Sequence, residues 1–164
     1  MLALKGQKNS ANDEFVGCEI AWCVVDPKTI EKTLPMLNEA GVSKIYFIYS
    51  DRSQKNFKID EERLRRILIS SCCQCGRTSL IETFICKSLD EFCDMNIPFF
   101  AFDFGGDGIG NIRNGTFLVG PEGGFSERER ELIKKRAQKV LSFAASNILK
   151  SETAVVAAAS LALI

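Results

Sequence analysis

The sequence contains no histidine among its 164 residues. This absence excludes Ser-His-Asp and Cys-His catalysis, zinc sites with histidine ligands and proton shuttles built on imidazole. Net charge is also absent, because 21 Lys and Arg balance 21 Asp and Glu. Any affinity for nucleic acid must therefore come from a local basic patch. The apolar residues 153–164 are too few for a membrane span, which needs roughly 20 residues, and they predict a buried terminal helix.

Seven cysteines are present, an odd number that fits a reducing compartment better than a framework of disulfides. We therefore interpret them as small apolar core residues and expect a cytoplasmic protein. The closely spaced Cys72, Cys73 and Cys75 resemble half of a metal site. No second pair and no histidine completes that site, so we expect no bound metal.

Apolar β-like segments alternate with helix-like segments from Phe15 onward, whereas residues 1–14 show no period and predict either a flexible lead or the stub of a missing domain. This alternation predicts one α/β domain over residues 15–164, with a mainly parallel sheet. The predicted strands are 18–25, 44–49, 80–85, 97–102, 116–119 and 140–143, and the predicted helices are 26–41, 60–75, 88–94, 126 onward and 151–164. Pro35 is expected to kink or shorten the first helix. The glycine-rich residues 105–115 are expected to form a flexible loop.

Residues 117–126 read FLVGPEGGFS, an apolar strand followed by a glycine-dense turn. Ser126 and Glu129 then form the pattern of a capping box that opens a helix. Glycine-rich backbone at the carboxyl end of a parallel strand is where α/β proteins bring main-chain groups to a ligand. Taken alone, the two adjacent glycines are better explained as a tight turn. Neither glycine cluster matches a phosphate-binding loop, which disfavours a nucleotide-binding domain.

The helix predicted around residues 60–77 has two distinct faces. One face is a predicted buried stripe of Leu64, Ile67, Leu68, Cys72 and Cys75. A second face carries cations and neutral hydrogen-bonding groups: Arg63, Arg66, Ser70, Gln74 and Arg77. This second face is either a solvated surface or a surface that contacts phosphate groups. Further along, Ser151 is a predicted N-cap of the last helix.

Five short motifs occur in a characteristic order. They are EAGV (39–42), SDRS (50–53), CCQCGR (72–77), GPEGGFS (120–126) and NILKSETA (147–154). In this combination, the chain strongly resembles the RsmE family over residues 20–164. That family comprises ribosomal RNA uridine N3-methyltransferases of the SPOUT superfamily.

The resemblance implies a sheet whose carboxyl-terminal part is tied into a deep trefoil knot, with S-adenosylmethionine bound in the knotted loops. It also implies a homodimer whose partner subunit completes the active site, and methylation of N3 of a specific uridine in 16S ribosomal RNA of the small subunit. The cofactor contacts that it implies, largely through backbone, are Phe102, Val119, Gly120, Pro121, Gly123, Gly124, Leu141, Ser142, Phe143, Asn147, Ile148 and Leu149. Arg52, Gln74 and Arg77 match positions on the substrate side. Arg63 and Arg66, on the same polar helix face, are expected to bind substrate with them.

The implied reaction makes specific demands on the residues present. Uracil N3 can attack a methyl sulfonium only when its proton is removed and the resulting anion is stabilised. Without histidine, the cations Arg52, Arg77 and Lys150 are the candidates to favour the deprotonated base. Glu122 is the carboxylate nearest the expected methyl donor. It acts either as a base or, in the interpretation we favour, as an acceptor of backbone hydrogen bonds that fixes the loop.

Two features depart from the family pattern. Lys150 stands where the family usually has arginine, which keeps the charge but loses the planar bidentate fork. Family members also carry an amino-terminal PUA-like RNA-binding domain, and we expect this chain to act as a catalytic domain without it. The alternative is a non-catalytic RNA-binding or ribosome-assembly module that retains the knotted fold.

Overall fold

The computed structural model describes residues 17–144 and 147–164. The helices and strands in chain order are β1 (Glu19–Cys23), α1 (Pro27–Glu39), β2 (Lys44–Ile48), α2 (Glu61–Cys75), β3 (Glu82–Cys86), α3 (Leu89–Asp94), β4 (Phe99–Gly108), β5 (Thr116–Val119), α4 (Glu127–Arg136), β6 (Lys139–Ser142) and α5 (Ser151–Ser160), with a 3₁₀ turn over Leu161–Leu163. The predicted flexible lead 1–14 and the predicted domain start at Phe15 lie outside the described residues.

The six strands form one sheet in the order β3-β2-β1-β5-β4-β6. Every pairing in this sheet is parallel, which confirms the expected α/β class. Parallel strands need crossover connections, and helices supply them here between most consecutive strands. Because all strands run the same way, their carboxyl ends meet at one edge of the sheet, which we call the carboxyl edge.

Each face of the sheet is covered by its own hydrophobic core. Side chains alternate along a strand, so Ile20 and Trp22 of β1 enter one core while Ala21 and Cys23 enter the other. Helices α1, α2 and α5 pack on the Trp22 side, and α3 and α4 pack on the opposite side. Strands β1, β2 and β5 are buried on both faces, which explains their nearly continuous apolar runs.

The terminal helix α5 is buried through its small residues, as the sequence predicts. Ala158 and Ala159 are fully buried beside Val155, which lets α5 pack closely against α1 and β5. Leu163 and Ile164, beyond the helix, are exposed. In residues 17–144 and 147–164, no helix combines the length and hydropathy that crossing a membrane requires.

The glycine-rich segment after Phe102 corrects one prediction. Residues 105–108 continue β4, whereas the sequence predicted a flexible loop there. Both Phe102 and Asp107 pair with Leu141 of β6, because the chain between them bulges and returns. Gly106 passes so close to the backbone of β6 that a Cβ added to it would lie 2.5 Å from the carbonyl carbon of Leu141. The Ser142 hydroxyl donates to the Gly106 carbonyl at 2.8 Å, which fixes the crossing.

Helix α2 ends at Cys75, as predicted, but the assignment of Arg77 to its polar face is wrong. Gly76 adopts a left-handed conformation at φ 76° and terminates the helix, so Arg77 lies beyond it and not on its polar face. Cys75 and Cys73 are exposed, so the prediction that all cysteines are core residues is wrong for these two. The remaining cysteines, Cys18, Cys23, Cys72, Cys86 and Cys93, are buried.

The first helix does not end at Pro35. This residue lies inside α1, which continues to Glu39. The helix begins with Pro27 at its first turn, where a missing N–H costs nothing. A left-handed Gly41 at φ 83° then turns the chain into β2.

Candidate functional site

Three chain segments at the carboxyl edge enclose a cavity of about 310 Å³. They are the bulged part of β4, the turn between β5 and α4, and the connection between β6 and α5. The lining residues are Phe102, Asp103, Phe104, Gly105, Val119, Gly120, Pro121, Glu122, Gly124, Phe125, Leu141, Ser142, Phe143, Asn147, Ile148, Leu149, Ser151 and Ala154. Such a position, at the end of parallel strands, is where α/β proteins bind their ligands.

The cavity collects nearly every position that the resemblance assigns to the cofactor. Phe102, Val119, Gly120, Pro121, Gly124, Leu141, Ser142, Phe143, Asn147, Ile148 and Leu149 all line it. Gly123 belongs to the same turn, and its carbonyl accepts a hydrogen bond from Arg52 Nη1 at 2.6 Å. The structure thus brings together residues that are distant in the sequence.

The GPEGG turn is shaped by its glycines and by a buried phenylalanine. Gly124 has φ 69° and donates its N–H to the Pro121 carbonyl at 2.9 Å, which closes the turn. Phe125 is 1% exposed and anchors the turn to the core. A Cβ at Gly120 would lie 3.2 Å from the Phe125 ring, so this position has little room for a side chain.

A buried hydroxyl joins this turn to the start of α5. Ser151 accepts a hydrogen bond from Trp22 Nε1 at 2.9 Å and donates one to the Gly120 carbonyl at 2.8 Å. The predicted N-cap role of Ser151 is wrong, because Lys150 occupies the N-cap position and Ser151 is the first helical residue. Ser151 therefore stabilises the cavity wall through its hydrogen bond to Gly120, which is distant in the sequence.

Two aromatic rings form an apolar part of the cavity wall. Phe102 and Phe143 stack with centroids 4.1 Å apart and planes inclined by 4°. The Phe102 ring is buried, whereas the Phe143 ring stacked on it is only half-buried. The wall thus offers a flat apolar surface to a planar ligand.

Carboxylates supply the charge within the cavity wall. Asp103 is bound by Arg130, with Nε to Oδ2 at 2.8 Å, and the hydrogen bonds that Arg130 donates to Asp103 raise the pKa of Arg130. Glu122 is exposed on the GPEGG turn. Lys150 is exposed and adjoins the lining residues Leu149 and Ser151.

The residues that follow β2 lie against the first turn of α4. Asp51 accepts hydrogen bonds from Ser126 Oγ at 2.6 Å and from Arg128 Nη2 at 3.1 Å. Arg128 Nη1 also donates to both carboxylate oxygens of Asp90, each at 2.9 Å. The hydrogen bonds from Arg128 and then Ser126 hold the pKa of Asp51 below its ordinary value. The neighbouring Arg52 reaches the GPEGG turn at the rim of the cavity through its hydrogen bond to the Gly123 carbonyl.

The other predicted substrate residues lie elsewhere. Helix α2 connects parallel strands, so it ends at the edge of the sheet opposite the cavity. There Arg77 Nη1 donates to the Asn38 carbonyl and to Asn38 Oδ1, both at 3.1 Å. Arg77 and Gln74 therefore do not meet Arg52, Glu122 and Lys150 at the cavity.

Arg63 and Arg66 lie on the exposed side of α2. Arg63 forms an ion pair with Glu31 of α1 at 2.6 Å. Both arginines are accessible from solvent, as a surface that contacts RNA requires. In the described part of the chain, no group of three His, Cys, Asp or Glu residues is arranged to hold a metal ion.

Some lining residues were not predicted from the sequence. Asp103, Phe104 and Gly105 were missed because the strand was expected to end at residue 102. No local signal identifies these residues, because the bulge of β4 depends on contact with β6.

The fold and the cavity define a class: a parallel α/β domain with a cavity between the loops at its carboxyl edge. Residues 13–163 match the family described as RNA methyltransferase domain. The chain belongs to that family.

Two Helicobacter pylori proteins named Ribosomal RNA small subunit methyltransferase E are similar to this chain. They are 42% identical (strain J99) and 41% identical (strain 26695) over 145 residues. These residues cover 85% of this chain and 63% of each relative, so the chain spans less than two thirds of their length.

Solved structures show the same fold. Ribosomal RNA small subunit methyltransferase E from Neisseria gonorrhoeae, bound to S-adenosyl methionine, aligns with a TM-score of 0.73 and 25% identity over 88% of this chain and 64% of its own. The SpoU methyltransferase AviRb from Streptomyces viridochromogenes, in complex with AdoMet, aligns with a TM-score of 0.60 and 15% identity. The alignment covers 93% of this chain and 61% of AviRb. The second likeness concerns the fold alone.

Proposed function

We propose that this domain is an S-adenosylmethionine-dependent methyltransferase that acts on N3 of a uridine in small-subunit ribosomal RNA. The observation that carries the proposal is the cavity at the carboxyl edge, whose walls coincide with the positions expected to hold the cofactor. The names of the Helicobacter and Neisseria relatives point in the same direction.

The donor set of the cavity fits S-adenosylmethionine. The half-buried Phe143 ring, backed by Phe102, suits the adenine ring. The carboxylates of Glu122 and Asp103 suit a ligand with a sulfonium and an ammonium group. Backbone groups of the glycine-rich turn suit its polar atoms without steric conflict. When bound, this cofactor supplies an electrophilic methyl group.

Arg52 is the cation that we assign to the uridine. Its guanidinium is held on the Gly123 carbonyl at the rim of the cavity, beside Glu122. A fixed positive charge there favours the N3 anion and lowers the barrier to its attack. Glu122 fixes the turn or accepts the proton, and Lys150 adds positive charge at the start of α5.

We also propose that the carboxyl-terminal strands are knotted. The close crossing of Gly106 over the Leu141 backbone, and the pairing of both Phe102 and Asp107 with Leu141, support a segment of β4 that wraps around β6. A rigid crossing of this kind holds the cavity loops in a fixed relative position, which favours methyl transfer through alignment.

RNA binding is assigned to the exposed side of α2 and to a second subunit. Arg63, Arg66 and Gln74 are exposed along this helix. Because Gln74 and Arg77 lie at the edge opposite the cavity, we propose a homodimer in which residues from both subunits serve one RNA. Light scattering at micromolar concentration tests the dimer, and a monomer contradicts it.

The decisive experiment joins cofactor binding to product analysis. The domain is titrated with S-adenosylmethionine by calorimetry, then incubated with the cofactor and small ribosomal subunits. The RNA is digested to nucleosides for mass spectrometry, and 3-methyluridine is expected. A different methylated nucleoside would overturn the N3 assignment. Cofactor binding without transfer would favour the non-catalytic RNA-binding module, and absence of binding would overturn the proposal.

A matched pair of variants tests the aromatic wall. Phe143→Ala removes the ring that faces the cavity and is expected to weaken S-adenosylmethionine binding about tenfold, in line with the energy of aromatic contacts. Phe84→Ala removes a 37% exposed ring on the outer strand β3, away from the cavity. It is expected to leave the affinity unchanged.

A further inference from the structure

Glu129 joins two parts of the chain that are far apart in the sequence. It lies in the first turn of α4 and is completely buried. Its Oε2 accepts the N–H of Ser126 at 3.0 Å, as the capping box requires. Its Oε1 accepts the N–H of Asp51 at 2.8 Å, across 78 residues of sequence. The capping box accounts for the first bond and not for the second.

A buried carboxylate is costly unless its oxygens are hydrogen-bonded. Among the described residues, no ion pair includes Glu129, and both of its oxygens bind backbone N–H groups. The carboxylate therefore depends on two backbone segments being in place. Conversely, those two segments are held at a fixed distance from each other by one side chain.

The hydrogen bond from the Asp51 N–H to Glu129 fixes the backbone from which the Arg52 side chain extends. Asp51 is the residue before Arg52, so a fixed Asp51 amide fixes the start of the Arg52 side chain. The Arg52 guanidinium then reaches the Gly123 carbonyl at 2.6 Å. Gly123 belongs to the turn that leads to Ser126, the other residue held by Glu129. The same carboxylate thus aligns Arg52 and the turn that Arg52 contacts.

Other contacts to Asp51 do not replace this one. Arg128 and Ser126 bind the side chain of Asp51, and the Arg128–Asp51 pair is exposed, with 53% and 38% of the side chains accessible. Exposed ion pairs contribute little to a fixed geometry. The bond that the Asp51 N–H donates to Glu129 is partly buried, with a completely buried acceptor, and it holds the backbone itself.

We propose that Glu129 is a positioning residue that sets the location of Arg52 for methyl transfer. The inference rests on the proposed function of Arg52. It assigns a second task to a capping residue: the carboxylate couples the segment after β2 to the cavity turn.

The test is a double-mutant cycle on the full chain. Glu129→Gln keeps the size of the side chain but directs an N–H₂ group toward one of the two backbone N–H donors. We expect the rate of methyl transfer in a single turnover to fall about 10- to 100-fold, because misplacement of a reacting group slows a reaction by factors of this size. The affinity for S-adenosylmethionine is expected to change less than threefold. In an Arg52→Ala background, Glu129→Gln is expected to cause no further loss.

The control is Glu127→Gln, which removes an equal charge from the same helical turn. Its side chain is 88% exposed, so the rate is expected to stay within twofold of the starting protein. If Glu129→Gln reduces the rate by the same factor with and without Arg52, its effect does not pass through Arg52 and the inference fails. Glu129→Asp, which keeps the charge but shortens the reach, replaces Glu129→Gln if the latter does not fold.

A second measurement does not depend on activity. Amide exchange of Asp51, followed by NMR, is expected to be at least tenfold faster in Glu129→Gln than in Glu127→Gln. Unchanged exchange would overturn the inference. Absence of methyl transfer by the starting protein would instead overturn the proposed function, and amide exchange would still decide whether Glu129 holds Asp51.

Discussion

The indole of Trp22 and the hydroxyl of Ser151 are joined by a hydrogen bond of 2.9 Å in the interior of the protein. The Ser151 hydroxyl then donates to the Gly120 carbonyl at 2.8 Å. One hydroxyl thereby ties the central strand β1 to the GPEGG turn and to the first residue of α5. Because Ser151 also lines the cavity, the stability of the fold and the shape of the site depend on the same atom.

Ser151→Ala is expected to lower the free energy of unfolding by about 1–3 kcal/mol, because it leaves the buried Trp22 N–H without its partner. Binding of S-adenosylmethionine should weaken as well, because the Gly120 carbonyl loses its donor. Ser160→Ala is the control, since the Ser160 hydroxyl donates to the Val156 carbonyl of its own helix. Urea unfolding followed by the fluorescence of Trp22, the single tryptophan, measures the difference. Equal stability of the two variants would contradict the expectation.

Gly106→Ala tests the crossing of β4 and β6. The added Cβ would lie 2.5 Å from the backbone carbon of Leu141, a contact that neither strand can relieve by rotating a side chain. We expect a loss of about 1–3 kcal/mol in the free energy of unfolding, together with weaker cofactor binding. Gly108→Ala lies in the same strand, with nothing within 4 Å of its Cβ, and is expected to be tolerated. Thermal unfolding and calorimetry of both variants decide the point.

The strands and helices were largely predictable because their patterns are local. Strand β5 was predicted at its observed bounds, 116–119, from its apolar run and the glycines on either side. The capping box of Ser126 and Glu129 was predicted from spacing and is present. Its second bond, to Asp51, could not be predicted, because periodicity carries no information about contacts between distant segments.

Two failures have the same physical origin. The bulge of β4 depends on the passage of Gly106 over Leu141, so glycine content alone suggested a loop. The position of Arg77 depends on strand direction, which places the end of α2 opposite the cavity. Helical spacing placed Arg77 on the same face as Gln74, whereas the left-handed Gly76 ends the helix before it. Both outcomes follow from tertiary structure that a single sequence does not display.

Thiol labelling of the native protein should separate the cysteines into two groups. Cys73 and Cys75 are exposed and should react rapidly with a thiol reagent at pH 8. Burial raises the pKa of Cys18 to about 12 and that of Cys86 to about 11, so these thiols are both inaccessible and protonated. Two rapid modifications out of seven are expected by mass spectrometry, and all seven after unfolding. More than two rapid modifications in the folded protein would contradict the described burial.

Acid titration of Asp51 tests how the segment after β2 is held. Hydrogen bonds from Arg128, and then from Ser126, lower the pKa of Asp51 from its ordinary value of 3.8. The folded state therefore favours the carboxylate, and this contribution to stability is present above pH 3.8 and lost as the pH falls through the lowered value. Arg128→Gln should return the pKa toward 3.8, as measured by the carboxyl carbon resonance. Arg130→Gln, which breaks the separate pair with Asp103, should leave it unchanged. If both variants leave the pKa of Asp51 unchanged, Arg128 does not hold this segment in solution, and Ser126 and Glu129 remain as its partners.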